Sequence, residues 1–207
     1  MIDTHEIEAL DLLKERLCLD FTNTAGEHPA QADDEFLTSY GNLVAWSVFG
    51  GVVSQDGGDH LLAVAEARPR DAEAALHYAV AVRETLFRVL AAAADGRDPD
   101  AADMAGYNHI LARTMTHLRM AAKDGRVGWA WSVESDDLEQ MLWPVVWSAA
   151  ELLTSPDLRH LRQCASEECD WLFLDTSKNH SRRWCRMKDC GNRAKARSHY
   201  HRSRQGV

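Results

Sequence analysis

Cys164-Ala165-Ser166-Glu167-Glu168-Cys169 and, fifteen residues further on, Cys185-Arg186-Met187-Lys188-Asp189-Cys190-Gly191-Asn192-Arg193 are the stretches on which the reading of this chain turns. Each sets two cysteines at the ends of a four-residue turn. The spacer is of hairpin length and can bring the two turns together, as a tetrahedral metal site needs. Within it, Trp171-Leu172-Phe173-Leu174 reads as one strand, Asp175 to Ser181 as the turn, and Arg182 to Cys185 as the returning strand. A helix is expected after Cys190. Turn, hairpin, then a second turn that opens a helix predicts a treble-clef-like zinc finger. Trp171, Phe173 and Trp184 would form its small core, a reading preferred to base stacking.

Four of the five cysteines lie in this region. In a reducing cytoplasm such clustering favours metal ligation over disulfides. The spacing points to one Zn2+ held by Cys164, Cys169, Cys185 and Cys190. An iron–sulfur cluster takes the same donors, and four buried free thiols are the remaining alternative. Four thiolates saturate zinc and leave no open position for water, so the metal is expected to be structural. Cys18, the fifth cysteine, reads as a small buried apolar residue rather than a redox sensor.

The chain has 207 residues, 45% apolar and 27% charged, which excludes disordered and fibrous compositions. No apolar run is long enough for a membrane helix. Met1-Ile2-Asp3-Thr4-His5-Glu6 lacks the basic start of a secretory signal. A cytoplasmic protein with no membrane partner is expected. The net charge of −9 conceals a division. From Leu158 to Val207 there are 12 Lys and Arg against 5 Asp and Glu; the rest of the chain has 11 against 27. Such a contrast suggests two parts with different partners. Ser155-Pro156-Asp157 marks a boundary between a regulatory or sensing domain, 1–156, and the finger, 158–207.

The first part reads as α+β and mostly helical. Glu15 to Thr24 alternates like a short strand, with Leu17, Leu19 and Phe21 on one face. Gly26 to Asp33 reads as a loop. Helical patterns follow over Glu35–Phe49, His60–Ala67, Asp71–Ala94 and Ala101–Arg113, with Ser54 to Asp59 as a turn-rich linker. Thr114 to Ala121 and Arg126 to Ser132 read as a β-hairpin around Asp124-Gly125. Asp136 to Leu153 is helical in pattern, with Pro144 as a kink or division.

The finger residues carry a family resemblance. Cys185 to Arg193, preceded by Phe173-Leu174-Asp175-Thr176-Ser177 and by Arg182-Arg183-Trp184, resembles the CGNR zinc finger, whose signature stands here as Cys190-Gly191-Asn192-Arg193. Leu19-Asp20-Phe21-Thr22-Asn23-Thr24 resembles the opening of the ABATE domain that accompanies this finger in bacterial proteins. The resemblance implies a stress-induced bacterial transcription regulator. Its finger would bind duplex DNA and its N-terminal domain would sense or regulate.

Read from the residues themselves, the helix after Cys190 is cationic. Arg193, Arg197, Tyr200 and Arg204 share a face, and Lys195, His199 and Arg202 form the adjoining row. The expected DNA contacts are Arg182, Arg183, Asn192, Arg193, Lys195, Arg197, Arg202 and Arg204. Arg193 has a second candidate role, bracing the turn at Asp175. The other reading of the basic helix is a protein–protein surface, or one that docks on the acidic N-terminal domain, without nucleic-acid binding. Arg83 sits in an otherwise apolar helical stripe, so burial would require a partner. Asp20 is the favoured partner, and Asp20, Asn23 and Arg83 together could line a pocket for a small-molecule effector. A structural polar network is the alternative. The histidines are scattered, with no His-Glu-x-x-His, no cysteine–histidine pair and no phosphate-binding glycine loop. No catalytic residue is assigned, and the chain is read as a non-enzyme.

Overall fold

The computed structural model describes residues 16–25, 35–132 and 136–205, with the side chains of residues 123, 198, 199 and 201–205 outside that description. The loop expected over Gly26 to Asp33 therefore lies outside the described residues, and so do the side chains of Arg202 and Arg204. Among the described residues six α-helices form the body: α1 (Leu17–Thr22), α2 (Tyr40–Phe49), α3 (Gln55–Ala67), α4 (Pro69–Ala94), α5 (Ala101–Met115) and α6 (Leu142–Leu153). A hairpin, β1 (Leu118–Lys123) and β2 (Arg126–Trp131), joins α5 to α6. A second pair, β3 (Leu161–Gln163) and β4 (Leu172–Leu174), leads to the terminal helix α7 (Asn192–Gln205).

α4 is the spine, and α1, α2, α3, α5 and α6 all pack against it. Ala72, Ala75, Ala79, Val82, Leu86, Val89 and Leu90 form its buried stripe. The small residues at its start let neighbouring backbones approach, and the larger ones later fill the centre. Pro69 opens the helix at a position where no N–H is required.

The segment expected as a strand at 15–24 is instead α1. Cys18, Leu19, Asp20, Phe21 and Thr22 are all buried, so the segment is enclosed on every side. A six-residue helix surrounded by core shows no clean period, and its apolar residues imitate alternation. Phe21 packs against Trp46 of α2 with ring centroids 5.0 Å apart.

Other boundaries moved for local reasons. Ser54 accepts from the Gly57 amide at 3.2 Å, so α3 starts at Gln55 within the expected linker. Ser39 accepts from the Asn42 amide at 3.1 Å and starts α2 at Tyr40, leaving 35–38 outside the helix. Pro144 neither kinks nor divides a helix. α6 begins at Leu142, which places the proline in the first turn where amides lack intrahelical acceptors. The β1–β2 turn uses Asp124 and Gly125 at φ of 51° and 74°, as a type I′ turn requires.

The expected hairpin of 171–174 with 182–185 is not formed. β4 pairs antiparallel with β3, with Leu161 opposite Leu174 and Gln163 opposite Leu172. The Cys164 amide continues that ladder to Trp171 O at 2.9 Å, so the first cysteine turn is the tip of this hairpin. Burial explains the choice. Leu161, Leu172 and Leu174 join the core of the helical body, while Phe173, on the opposite face, joins the four cysteines. Asn23 completes the seam: its carboxamide donates to Leu172 O and accepts from the Leu172 amide, both at 2.9 Å.

Shared packing of this kind makes a finger residue a determinant of body stability. Leu172→Ala is expected to cost about 2–5 kcal/mol. Urea unfolding of the full chain followed by helical circular dichroism measures it, and a shift of the helical transition is the expected result.

Candidate metal centre and nucleic-acid interface

Cys164 and Cys169 flank the tip of the β3–β4 hairpin, and Cys185 and Cys190 flank the turn that opens α7. All four are buried, and their sulfurs lie within 4.8 Å of one another. Cys169 Sγ and Cys190 Sγ each lie 3.7 Å from Cys185 Sγ. A tetrahedron with Zn–S bonds of about 2.3 Å has edges of about 3.8 Å, so the donor set fits a single ion. The Cys185 amide donates to Cys164 Sγ at 3.5 Å and Arg193 Nη2 to Cys190 Sγ at 3.2 Å. Such donors offset the charge of about −2 that zinc and four thiolates carry. The finger holds one structural zinc, which ties the hairpin tip to the start of α7.

Around this centre Phe173 is fully buried, and Trp171 and Trp184 pack at its margin, as expected of a small core. Asp175 is the polar counterpart. Its carboxylate accepts from Ser177 Oγ at 2.6 Å, from the Ser177 amide at 3.0 Å and from the Arg182 amide at 2.9 Å. Burial pushes the Asp175 carboxyl up, but these hydrogen bonds outweigh it and leave it below the ordinary carboxylate value. They also close the loop that was expected to be a simple hairpin turn.

Arg182 braces this loop. Its guanidinium lies 4.4 Å from the Phe173 ring centroid and donates to the carbonyls of Leu174, Trp184 and Cys185. Arg182 thus has internal partners around the zinc core. The Asp175 brace expected of Arg193 falls to Arg182 and Ser177. Gly191 is tightly covered by the Met187 side chain, which occupies the space a Cβ would need.

α7 follows a single π turn at Met187–Gly191. Asn192 is exposed, and its side-chain carboxamide donates to Lys188 O at 2.8 Å. Arg183 and Lys195 are exposed. Arg193 and Arg197 have partners that the residue pattern did not suggest. Arg197 Nη1 lies 3.0 Å from Glu168 and 3.7 Å from Glu167, and Arg193 Nε lies 3.9 Å from Glu168. These ion pairs stay within the finger. The acidic pair inside the first cysteine turn was the available signal, since that turn must stand beside the helix opened by the second.

The expected pocket residues are brought to the seam but occupied differently. Arg83 is 3% exposed. Its Nη1 and Nη2 donate to the two Glu35 oxygens, each at 2.6 Å, and Nη2 donates to Glu84 at 2.9 Å. Thr24 Oγ1 lies 3.4 Å from Nη1. The partner is thus Glu35, not Asp20. Asp20 was placed opposite Leu19 by strand logic that the helix invalidates. Asn23 is committed to Leu172, as described above. Burial raises the Glu35 carboxyl, but the Arg83 hydrogen bonds and charge prevail and hold it below its usual value. Cys18 is fully buried, and burial pushes its thiol up to about 11, an unreactive state.

Comparison with known families gives two matches. A family model described as "ABATE: Putative stress-induced transcription regulator" matches residues 15–156, and one described as "CGNR zinc finger" matches residues 160–203. No curated protein matches the sequence.

Two measurements check the geometry. Elemental analysis of metal-replete protein is expected to give one zinc per chain and no iron, and Cys185→Ser to abolish stoichiometric zinc. Glu35→Gln is expected to destabilise the protein by about 2 kcal/mol at neutral pH, between the values for exposed and buried pairs. Because the folded Glu35 value is depressed, its contribution is full above the ordinary carboxylate pKa of about 4.3 and disappears as pH falls through the folded value. Urea midpoints of wild type and variant should therefore draw together as pH falls from about 4.3 and converge once it is below the folded value.

Proposed function

We propose, from the premise that this chain belongs to the ABATE family and ends in a CGNR zinc finger, that it is a cytoplasmic transcription regulator that binds duplex DNA through its finger. The observation that carries the proposal is the mounting of α7. A cationic helix stands on a zinc turn, its exposed side presents Lys195, and the ion pairs described for Arg193 and Arg197 stay within the finger. A helix of this length spans about 21 Å, enough to lie in or across a major groove. The matched families are regulator and zinc-finger types rather than enzyme families.

Phosphate contacts would come from Arg183, Arg193, Lys195 and Arg197, with Arg202 and Arg204 further along the helix. Arg182 supports them by fixing the loop before Cys185. Asn192 would read a base, since asparagine pairs bidentately with adenine. A docking surface for another protein is the second reading, favoured by the pairing of Arg193 and Arg197 with carboxylates, the groups an acidic partner would present.

Zinc-loaded full-length protein titrated with duplex DNA separates the two. If about six cations engage phosphates, log K should fall against log salt with a slope near −5. Lys195→Ala should weaken binding to all sequences, and Asn192→Ala should relax sequence preference. Absence of binding to any duplex at low salt would leave the protein-docking reading.

A further inference from the structure

We infer that Glu167 and Glu168 are a built-in phosphate mimic, occupying Arg193 and Arg197 until DNA displaces them. The inference rests on the nucleic-acid reading above and names the competitor for that surface within the same chain.

The geometry is that of an occupied anion site. Glu168 stands between the two arginines, 3.0 Å from Arg197 Nη1 and 3.9 Å from Arg193 Nε, and Glu167 approaches Arg197 at 3.7 Å. Carboxylate and phosphate oxygens use the same guanidinium N–H groups, so they compete directly. Exposure makes the contact reversible. The side chains are 37% and 38% exposed for Arg193 and Arg197, and 50% and 92% for Glu168 and Glu167. Ion pairs so open to water contribute little to stability, little enough for a phosphate to replace.

Position makes the competition persistent. Ser166, Glu167 and Glu168 lie in the turn closed by the Cys169 amide to Ser166 O at 3.0 Å. Zinc ties that turn to the one opening α7. The carboxylates therefore cannot drift from the helix as a flexible tail could. They also place two negative charges beside α7, so their effect extends beyond Arg197, which Glu168 hydrogen-bonds, and Arg193, which it only pairs with at longer range.

The experiment is a duplex titration of the zinc-loaded full chain and its E167Q/E168Q variant, using a mixed-sequence 20-base-pair DNA and fluorescence anisotropy. The variant is expected to bind about tenfold more tightly at low salt. Its log–log salt slope should stay within about one of wild type, because the same phosphates are neutralised. Arg197→Ala supplies an independent reading. In wild type it removes a phosphate contact and the competition together, so binding should fall only about two- to threefold. In the E167Q/E168Q background the loss should be about tenfold. Zinc content and the thermal midpoint establish that each variant is folded. Should E167Q/E168Q lose zinc, Glu167→Gln alone, at the most exposed position, should still tighten binding about threefold.

Equal or weaker binding by E167Q/E168Q overturns the inference and makes the glutamates bystanders or supports of α7. So does an equal Arg197→Ala effect in both backgrounds. If neither wild type nor E167Q/E168Q binds duplex at low salt, the nucleic-acid reading fails and the inference falls with it. Wild-type binding without the increase isolates failure to the mimic.

Discussion

The three residues of β4 belong to two cores at once. Leu172 and Leu174 point into the helical body, and Phe173 points at the thiolate cluster. The two-residue period of a strand imposes that division. β4 has β3 on one edge, and Asn23 reaches from the residue after α1 to both polar groups of Leu172. Separating finger from body would expose Leu161, Leu172 and Leu174 and unpair the Asn23 carboxamide. Free energy gained when zinc binds the four thiolates is therefore also available to the body, through one rigid element.

Two arginines, Arg83 buried and Arg182 half-buried, secure the surroundings of this strand by different chemistry. Arg83 lies in the spine of the body and meets carboxylates, with Glu35 held in a two-pronged pair. Arg182 lies beside the zinc core and meets carbonyls and the face of Phe173. A planar guanidinium suits both settings, because several N–H donors can be satisfied in one plane while the face covers apolar surface. Lysine would offer neither the two-pronged contact nor the stacking. A cation count of the finger consequently overstates the charge available to a partner: among the described residues Arg162 and Arg182 donate to backbone carbonyls, and Arg193 and Arg197 are paired with glutamates.

Legibility in the sequence followed the range of the deciding interaction. The cysteine turns could be read because a metal needs donors at short, fixed separations. The Asp124-Gly125 hairpin and the long α4 stripe were equally local. α1 was misread because total enclosure erases the difference between period 2 and period 3.6 over six residues. The partner of Arg83 was missed because Glu35 is 48 residues away and lies in a segment that the Ser39 cap keeps out of α2. Strand pairing in the finger was missed for a related reason. Leu161, before the first cysteine, had no evident partner until the body's core needed covering, and that demand is a tertiary one.

Rigid docking gives the uneven charge a directional consequence under the proposed function. The body carries most of the acidic residues, and the finger most of the excess cations. On a flexible tether the finger could turn away from the body and meet DNA from any side. Held by β4 and Asn23, it keeps one orientation to the acidic body. The body's negative charge would then bias the side from which a polyanion approaches, an effect that salt screens beyond about 8–10 Å. Glu167 and Glu168 act within that range. Under the proposed function the body would set the direction of approach, and the two glutamates would set how much of the helix's charge a duplex meets.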